Sequence, residues 1–210
     1  MAGTHSTIRR VPKLVLVTDR TATAGRDLVD VVARALDAGL PAVQLRDKDL
    51  AGRDLVALAE RLRVLTRRAG ALFFVNDRVD VARAVDADGV HLAAASLPVE
   101  AARALLRSDA LVGRSTHAVA EVAETTADFV VFGPVHDTPS KRAYGAPQGD
   151  ASLRAAVAHA LVPVLAIGGM DATTAGAARA AGVHGIAVVR AILGASDPAR
   201  ATRTLCDVMR

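Results

Sequence analysis

The sequence predicts a single (β/α)8 barrel of the α/β class, a TIM barrel, and three observations carry that expectation. Short β-branched runs alternate with Ala-, Arg- and Leu-rich stretches of helical period, the pattern of repeated βα units around a parallel sheet. The runs number about eight, the count a closed barrel requires. No Gly-x-Gly-x-x-Gly fingerprint follows the first run, which weighs against a doubly wound open sheet, the architecture built from the same unit.

The strand candidates follow in order. They are Leu14 to Val17, Ala42 to Leu45, Leu72 to Val75, Gly89 to Leu92, Ala110 to Gly113, Phe129 to Phe132, Val164 to Ile167 and Gly185 to Val189. Helices between them are placed by apolar spacing, as in Leu28, Val31, Val32, Ala35 and Leu36, or Leu55, Leu58, Ala59, Leu62 and Leu65. Gly39, Gly70 and Gly182 each fall a few residues before the next run and read as helix C-caps. Asp171 and the Asp197-Pro198 pair read as helix starts, the last helix running to about Leu205. Residues 1–12 read as a flexible lead-in and 13–210 as the barrel domain, because no linker-like stretch divides the chain.

Composition narrows the function. The chain is 51% hydrophobic, almost all of it Ala, Val and Leu, with four Phe, one Tyr and no Trp. That suits helices packed closely on a buried sheet and excludes a base-stacking surface. The net charge of +4 arises from 26 basic and 22 acidic residues spread along the chain. No basic block would track a nucleic-acid backbone, so small phosphorylated molecules are the expected partners. A single cysteine, Cys206, excludes an intramolecular disulfide and fits a reducing, cytoplasmic setting. No apolar run approaches the roughly 20 residues that span a bilayer, so no membrane partner is expected. Assembly stays open, a homodimer being the commonest form for soluble proteins.

Polar residues gather just after the apolar runs, where barrel enzymes build their sites. Gln44, Arg46 and Lys48 put an amide, a guanidinium and an ammonium around one strand end, a trio suited to a di-anionic phosphate. Asn76 and Asp77 follow the next run. Asp77 could hold Mg2+ with waters and substrate phosphate completing the shell, or either residue could simply cap the next helix. Arg114, Ser115, Thr116 and His117 form a third stretch. A fourth, from Gly133 to Lys141, reads as a long hydroxyl-rich loop, mobile from His136 to Gly149, with Gly145 and Gly149 as hinges and Lys141 aimed at a leaving pyrophosphate. Gly168 and Gly169, with Val188 and Val189, occupy the two loops that usually cradle phosphate in this fold through backbone N–H groups.

Taken in order, these stretches resemble the motif set of the thiamine phosphate synthase family from Leu14 to Ala201. Enzymes of that family join a hydroxymethylpyrimidine diphosphate to a thiazole phosphate, releasing pyrophosphate. The resemblance implies that Gln44, Arg46, Lys48, Asn76 and Lys141 meet the diphosphate and pyrimidine, with Ser140 beside them and Asp77 on Mg2+ as cofactor. It implies that Ser115 and Thr138 lie against the pyrimidine and its leaving group, so that Lys141, Ser115 and Thr138 stand nearest the chemistry. Gly168, Gly169, Val188 and Val189 would hold the thiazole phosphate. The chain departs from the pattern after His91-Leu92, where the family's Gly-Gln-x-Asp supplies a second metal-binding carboxylate and this sequence has Ala93-Ala94-Ala95-Ser96. Two further functions follow from that departure. One is a thiazole tautomerase, a metal-free isomerase of the same superfamily with His117 and His136 as candidate proton carriers. The other is a non-catalytic binder of phosphorylated thiamine precursors.

Overall fold

The computed structural model describes residues 11–138 and 146–210. Eight parallel strands close on themselves in sequence order. They are β1 Leu14–Val17, β2 Ala42–Leu45, β3 Leu72–Asn76, β4 Gly89–Leu92, β5 Leu111–Thr116, β6 Phe129–Phe132, β7 Val164–Ile167 and β8 Gly185–Val188. The helices around them are α1 Leu28–Asp37, α2 Gly52–Ala69, α3 Val79–Ala84, α4 Val99–Leu105, α5 Val119–Ala123, α6 Gly149–His159, α7 Ala172–Ala180, α8 Arg190–Leu193 and α9 Pro198–Val208. Closure is made where β1 pairs with β8, Leu14 opposite Ile186 and Leu16 opposite Val188. An open sheet would leave those two strands as edges.

All eight apolar runs are strands, with revised ends. β5 continues past Gly113 through Arg114, Ser115 and Thr116, which pair with Val130, Val131 and Phe132 of β6. Hydropathy ends that run early because the upper part of the strand carries polar side chains. The helical spacing holds: Leu28, Val31, Val32, Ala35 and Leu36 are the buried face of α1. The last helix reaches Val208, three residues beyond the expected end.

Two packed layers result from the alternation of strand side chains. Leu14, Leu16, Val43, Leu45, Phe73, Val75, Val90 and Leu92 point outward into one continuous core with the helices. Val15, Val17, Ala42, Phe74, Leu111, Phe129, Val131, Leu165 and Ala187 fill the barrel interior. Phe74 and Phe129 meet there edge to face, centroids 5.6 Å apart. Gly113 makes that fit possible, since a Cβ on it would lie 2.3 Å from the Phe129 ring.

The end of the barrel away from the strand C-termini is tied by ions. Arg63 of α2 donates to Asp88 at 2.6 Å, and Asp88 also accepts the Phe73 N–H at 2.8 Å, joining α2, β3 and the start of β4. The two side chains are 9% and 7% exposed, so their attraction is little screened, and Arg107 Nη2 adds a second cation 3.6 Å from the Asp88 carboxylate. Arg63→Ala should therefore cost about 3 kcal/mol in urea unfolding by leaving the buried Asp88 carboxylate with only the more distant, part-exposed Arg107 as counter-ion. A loss below about 1 kcal/mol would contradict a buried pair at this position.

Candidate functional site

The strand C-termini form one rim around a cavity of about 450 Å³. Its walls include Gln44 and Arg46 from β2 and its exit, His91 from β4, Thr138, and the backbone-rich pairs Gly168-Gly169 and Val188-Val189. Val17, Thr18, Asp19, His117, Asp171 and Arg190 complete much of the remainder.

Alternation explains why polar atoms collect at this end. The inward-facing positions at the top of β2 to β5 are Gln44, Asn76, His91 and Ser115, whereas those of β1 and β6 to β8 include Val17, Val131, Ile167 and Ala187. One half of the barrel mouth is thus hydrogen-bonding and the other apolar. Gln44 Nε2 donates to Asn76 Oδ1 at 3.0 Å, and Asn76 Nδ2 donates to Asp77 Oδ2 at 2.8 Å. Asp77 Oδ1 accepts the Ala93 N–H at 2.7 Å. Asp77 holds this position with φ of 58°, in the left-handed region. Neither Asn76 nor Asp77 caps α3, whose first turn lacks a side-chain cap, so the helix-capping reading of this pair fails.

His91 Nε2 lies 2.9 Å from Ser115 Oγ. Burial pushes its imidazole down from 6.5 to about 4, the Asp77 carboxylate opposing the shift and the Arg46 guanidinium assisting it. His91 is therefore neutral at pH 7 and serves as a hydrogen-bonding wall.

The glycine pair after β7 is built for close approach. Gly168 and Gly169 have φ of 99° and 63°. A Cβ on Gly168 would lie 2.6 Å from Pro134, and one on Gly169 would lie 2.7 Å from His136. No partner within the described residues takes the N–H groups of Gly168, Gly169, Arg190 or Ala191. The N-terminus of α7 is different. Asp171 caps it, accepting from Thr173 and Thr174, and those amide bonds hold its carboxyl below the usual range. On this side the amides without a partner among the described residues are therefore those of the Gly168-Gly169 turn and the entry to α8, while Thr173 and Thr174 in the first turn of α7 are taken by Asp171.

Of the residues singled out in the sequence, Gln44, Arg46, Thr138, Gly168, Gly169, Val188 and Val189 line the cavity. Asn76 and Ser115 adjoin this wall, bonded to Gln44 and His91 respectively, and Asp77 is bonded in turn to Asn76. Lys48 follows on the exposed loop beyond Arg46. Ser140, Lys141 and Gly145, with half of the expected mobile loop, lie outside the described residues. The sequence reading passed over Thr18, Asp19, His91, Asp171 and Arg190 as site residues. Asp19 and Arg190 could have been found as polar residues directly after apolar runs.

A parallel eight-stranded barrel whose rim joins cationic side chains to unpaired backbone N–H groups is a phosphate-handling barrel. The chain belongs to the thiamine monophosphate synthase family, whose model matches residues 14–192. It is 42% identical to the thiamine-phosphate synthase of Roseiflexus castenholzii over 92% of this chain and 86% of that one. It is 43% identical to that of Methanoculleus marisnigri, covering 92% and 93% of the two chains. Among solved structures, the thiamine phosphate pyrophosphorylase of Pyrococcus furiosus superposes with a TM-score of 0.85 at 38% identity, covering 94% of this chain and 95% of that one.

Burial of neutral His91 makes stability pH-dependent. The unfolded chain takes up a proton near pH 6.5 that the folded chain refuses until about pH 4, so the stability held above pH 6.5 is lost as pH falls through about 4. The loss should be on the order of 3 kcal/mol, and the difference in unfolding free energy between the wild type and His91→Asn should shrink by that amount on acidification. A pH-independent difference would contradict the assignment.

Proposed function

We propose that this protein is a thiamine-phosphate synthase, coupling hydroxymethylpyrimidine diphosphate with thiazole phosphate to give thiamine phosphate and pyrophosphate. The observation that carries the reading is one cavity lined in one sector by Gln44 and Arg46 at β2 and in another by the Gly168-Gly169 and Val188-Val189 backbones at β7 and β8, donors of the kind an anion needs. Relatives at 42–43% identity that bear the synthase name support it over the tautomerase and the non-catalytic binder.

In this reading Arg46, Lys48 and Lys141 neutralise the diphosphate, with Gln44, Asn76, Ser115, Thr138 and Ser140 orienting it and the pyrimidine. The C–O bond from the pyrimidine methylene to the diphosphate breaks, and its electron pair leaves with pyrophosphate. The electron-rich aminopyrimidine carries the positive charge that develops, and the cations stabilise the departing group. The thiazole nitrogen then donates its lone pair to the methylene, forming the C–N bond and leaving the positive charge on the thiazolium. Gly168, Gly169, Val188 and Val189 hold the thiazole phosphate. The apolar half of the mouth excludes water that would otherwise capture the methylene.

Mg2+ fits this site as an ion carried largely by substrate. Each Asp77 carboxylate oxygen accepts one hydrogen bond and keeps a lone pair, while Ser96 offers no charge in place of a second carboxylate. Among the described residues no three His, Cys, Asp or Glu side chains come together as a metal cage. Mg2+ commonly takes one or two protein carboxylates with water and phosphate oxygens. When bound, it would neutralise charge on the leaving diphosphate.

Purified protein supplied with both substrates and Mg2+ should form thiamine phosphate and pyrophosphate in equal amounts. Arg46→Ala should lower kcat/KM by about ten- to a hundredfold, the worth of a charge-assisted hydrogen bond. Asp77→Ala should abolish turnover and Ser96→Asp should lower the Mg2+ concentration for half-maximal rate several-fold, since it adds a second carboxylate. Thiamine phosphate formation that survives both Asp77→Ala and EDTA would contradict this mechanism.

A further inference from the structure

We propose that Thr18 and Arg20, at the exit of β1, are positioning residues that set the diphosphate grip by fixing the backbone from which Arg46 and Lys48 project. The proposal rests on the synthase reading for what Arg46 binds, and on geometry for how Arg46 is held.

The β1–β2 ladder runs through Val17 opposite Gln44 and continues with the Thr18 N–H donating to the Gln44 carbonyl at 2.9 Å. One residue further the backbones part, and the Thr18 hydroxyl takes over. It accepts the Arg46 N–H at 2.8 Å and lies 3.3 Å from the Arg46 carbonyl, to which it donates. Both polar backbone groups of Arg46 are thus satisfied by one side chain, which is 1% exposed. Water cannot readily replace it there.

The next residue on the loop is tied from the same segment. Arg20 pairs with Asp47 through Nε to Oδ2 and through Nη2 to Oδ1. The Asp47 side chain is 7% exposed and also accepts the N–H groups of Asp49 and Leu50, each at 3.1 Å. Burial alone would raise its carboxyl, but the hydrogen bonds from Arg20, Asp49 and Leu50 outweigh that and hold it below the ordinary range. The backbone at positions 44 and 46 and the side chain of Asp47 are therefore tied to the exit of β1, whereas the charged ends of Arg46 and Lys48 form no ion pair within the described residues. Rigid stems with free cationic heads are what preorganised anion binding requires, because little ordering remains to be done when the anion arrives.

A brace that served only folding would change stability and nothing else. The test uses the full chain, with magnesium pyrophosphate as the binding probe. Thr18→Val preserves shape and removes the hydroxyl, so pyrophosphate Kd and the KM for the pyrimidine diphosphate should each rise about tenfold. The KM for thiazole phosphate should stay within about twofold, and Thr18→Ser should restore pyrophosphate affinity. Arg20→Gln should weaken pyrophosphate binding in the same direction, which keeps the test open if Thr18→Val does not fold. A lower Tm with pyrophosphate affinity unchanged in both variants would overturn the proposal, as would a wild type that binds no pyrophosphate. A wild type that binds pyrophosphate yet forms no thiamine phosphate would sink the synthase reading instead, and the variant affinities would still decide the brace.

Discussion

Pairing of β1 with β8 is the constraint on which the remaining structure depends. In a closed parallel barrel every strand C-terminus must emerge at one rim, and inward and outward side chains must alternate in step around the whole circle. Residues more than 140 positions apart in the chain, such as Arg46 and Val188, therefore line one cavity without any contact between their own elements having to be specified. Closure also supplies the division of labour between the two ends: the buried Arg63–Asp88 pair and its neighbours hold one, and polar groups at the strand C-termini surround the cavity at the other.

The barrel mouth turns that geometry into chemistry through an uneven distribution of polarity. Gln44, Asn76, His91 and Ser115 occupy consecutive strands and bond in two pairs, Gln44 to Asn76 and His91 Nε2 to Ser115, so part of the cost of burying them is offset by bonds that also fix their orientation, while His91 Nδ1 has no partner among the described residues. The facing sector of Val17, Val131, Ile167 and Ala187 has nothing to hydrogen-bond and offers shape and dryness. A polar heterocycle with a diphosphate suits the first sector. A thiazole with a single phosphate, whose ring is soft and apolar, suits the second, where the Gly168-Gly169 turn offers amides at close range.

Much of this was legible in the sequence because it is written in local pattern. Eight apolar runs and the period of the helices between them give the barrel, and the polar residues after each run give the rim. What escaped was whatever depends on partners far along the chain. Hydropathy ended β5 at Gly113 because Ser115 and Thr116 are polar, although both pair with β6. Asn76 and Asp77 look like helix caps in isolation, and only the approach of Gln44 and the Ala93 amide gives them another task. Thr18 looks like an ordinary end to a strand, since nothing near it in sequence reveals that its hydroxyl holds Arg46, 28 residues away. His91 sits inside an apolar run, and its neutrality follows from burial that pattern alone does not disclose.

The central claim is that one cavity holds two phosphorylated partners in fixed and different sectors, the leaving pyrophosphate beside Arg46 and the thiazole phosphate on the Gly168-Gly169 turn. A crystal structure with thiamine phosphate, pyrophosphate and Mg2+ bound tests it most directly. The account predicts pyrophosphate within hydrogen-bond distance of the Arg46 guanidinium, with the thiazole phosphate accepting from the backbone N–H groups of Gly168 and Gly169. Thiamine phosphate lying in the reverse sense, or both anions gathered at one sector, would contradict it.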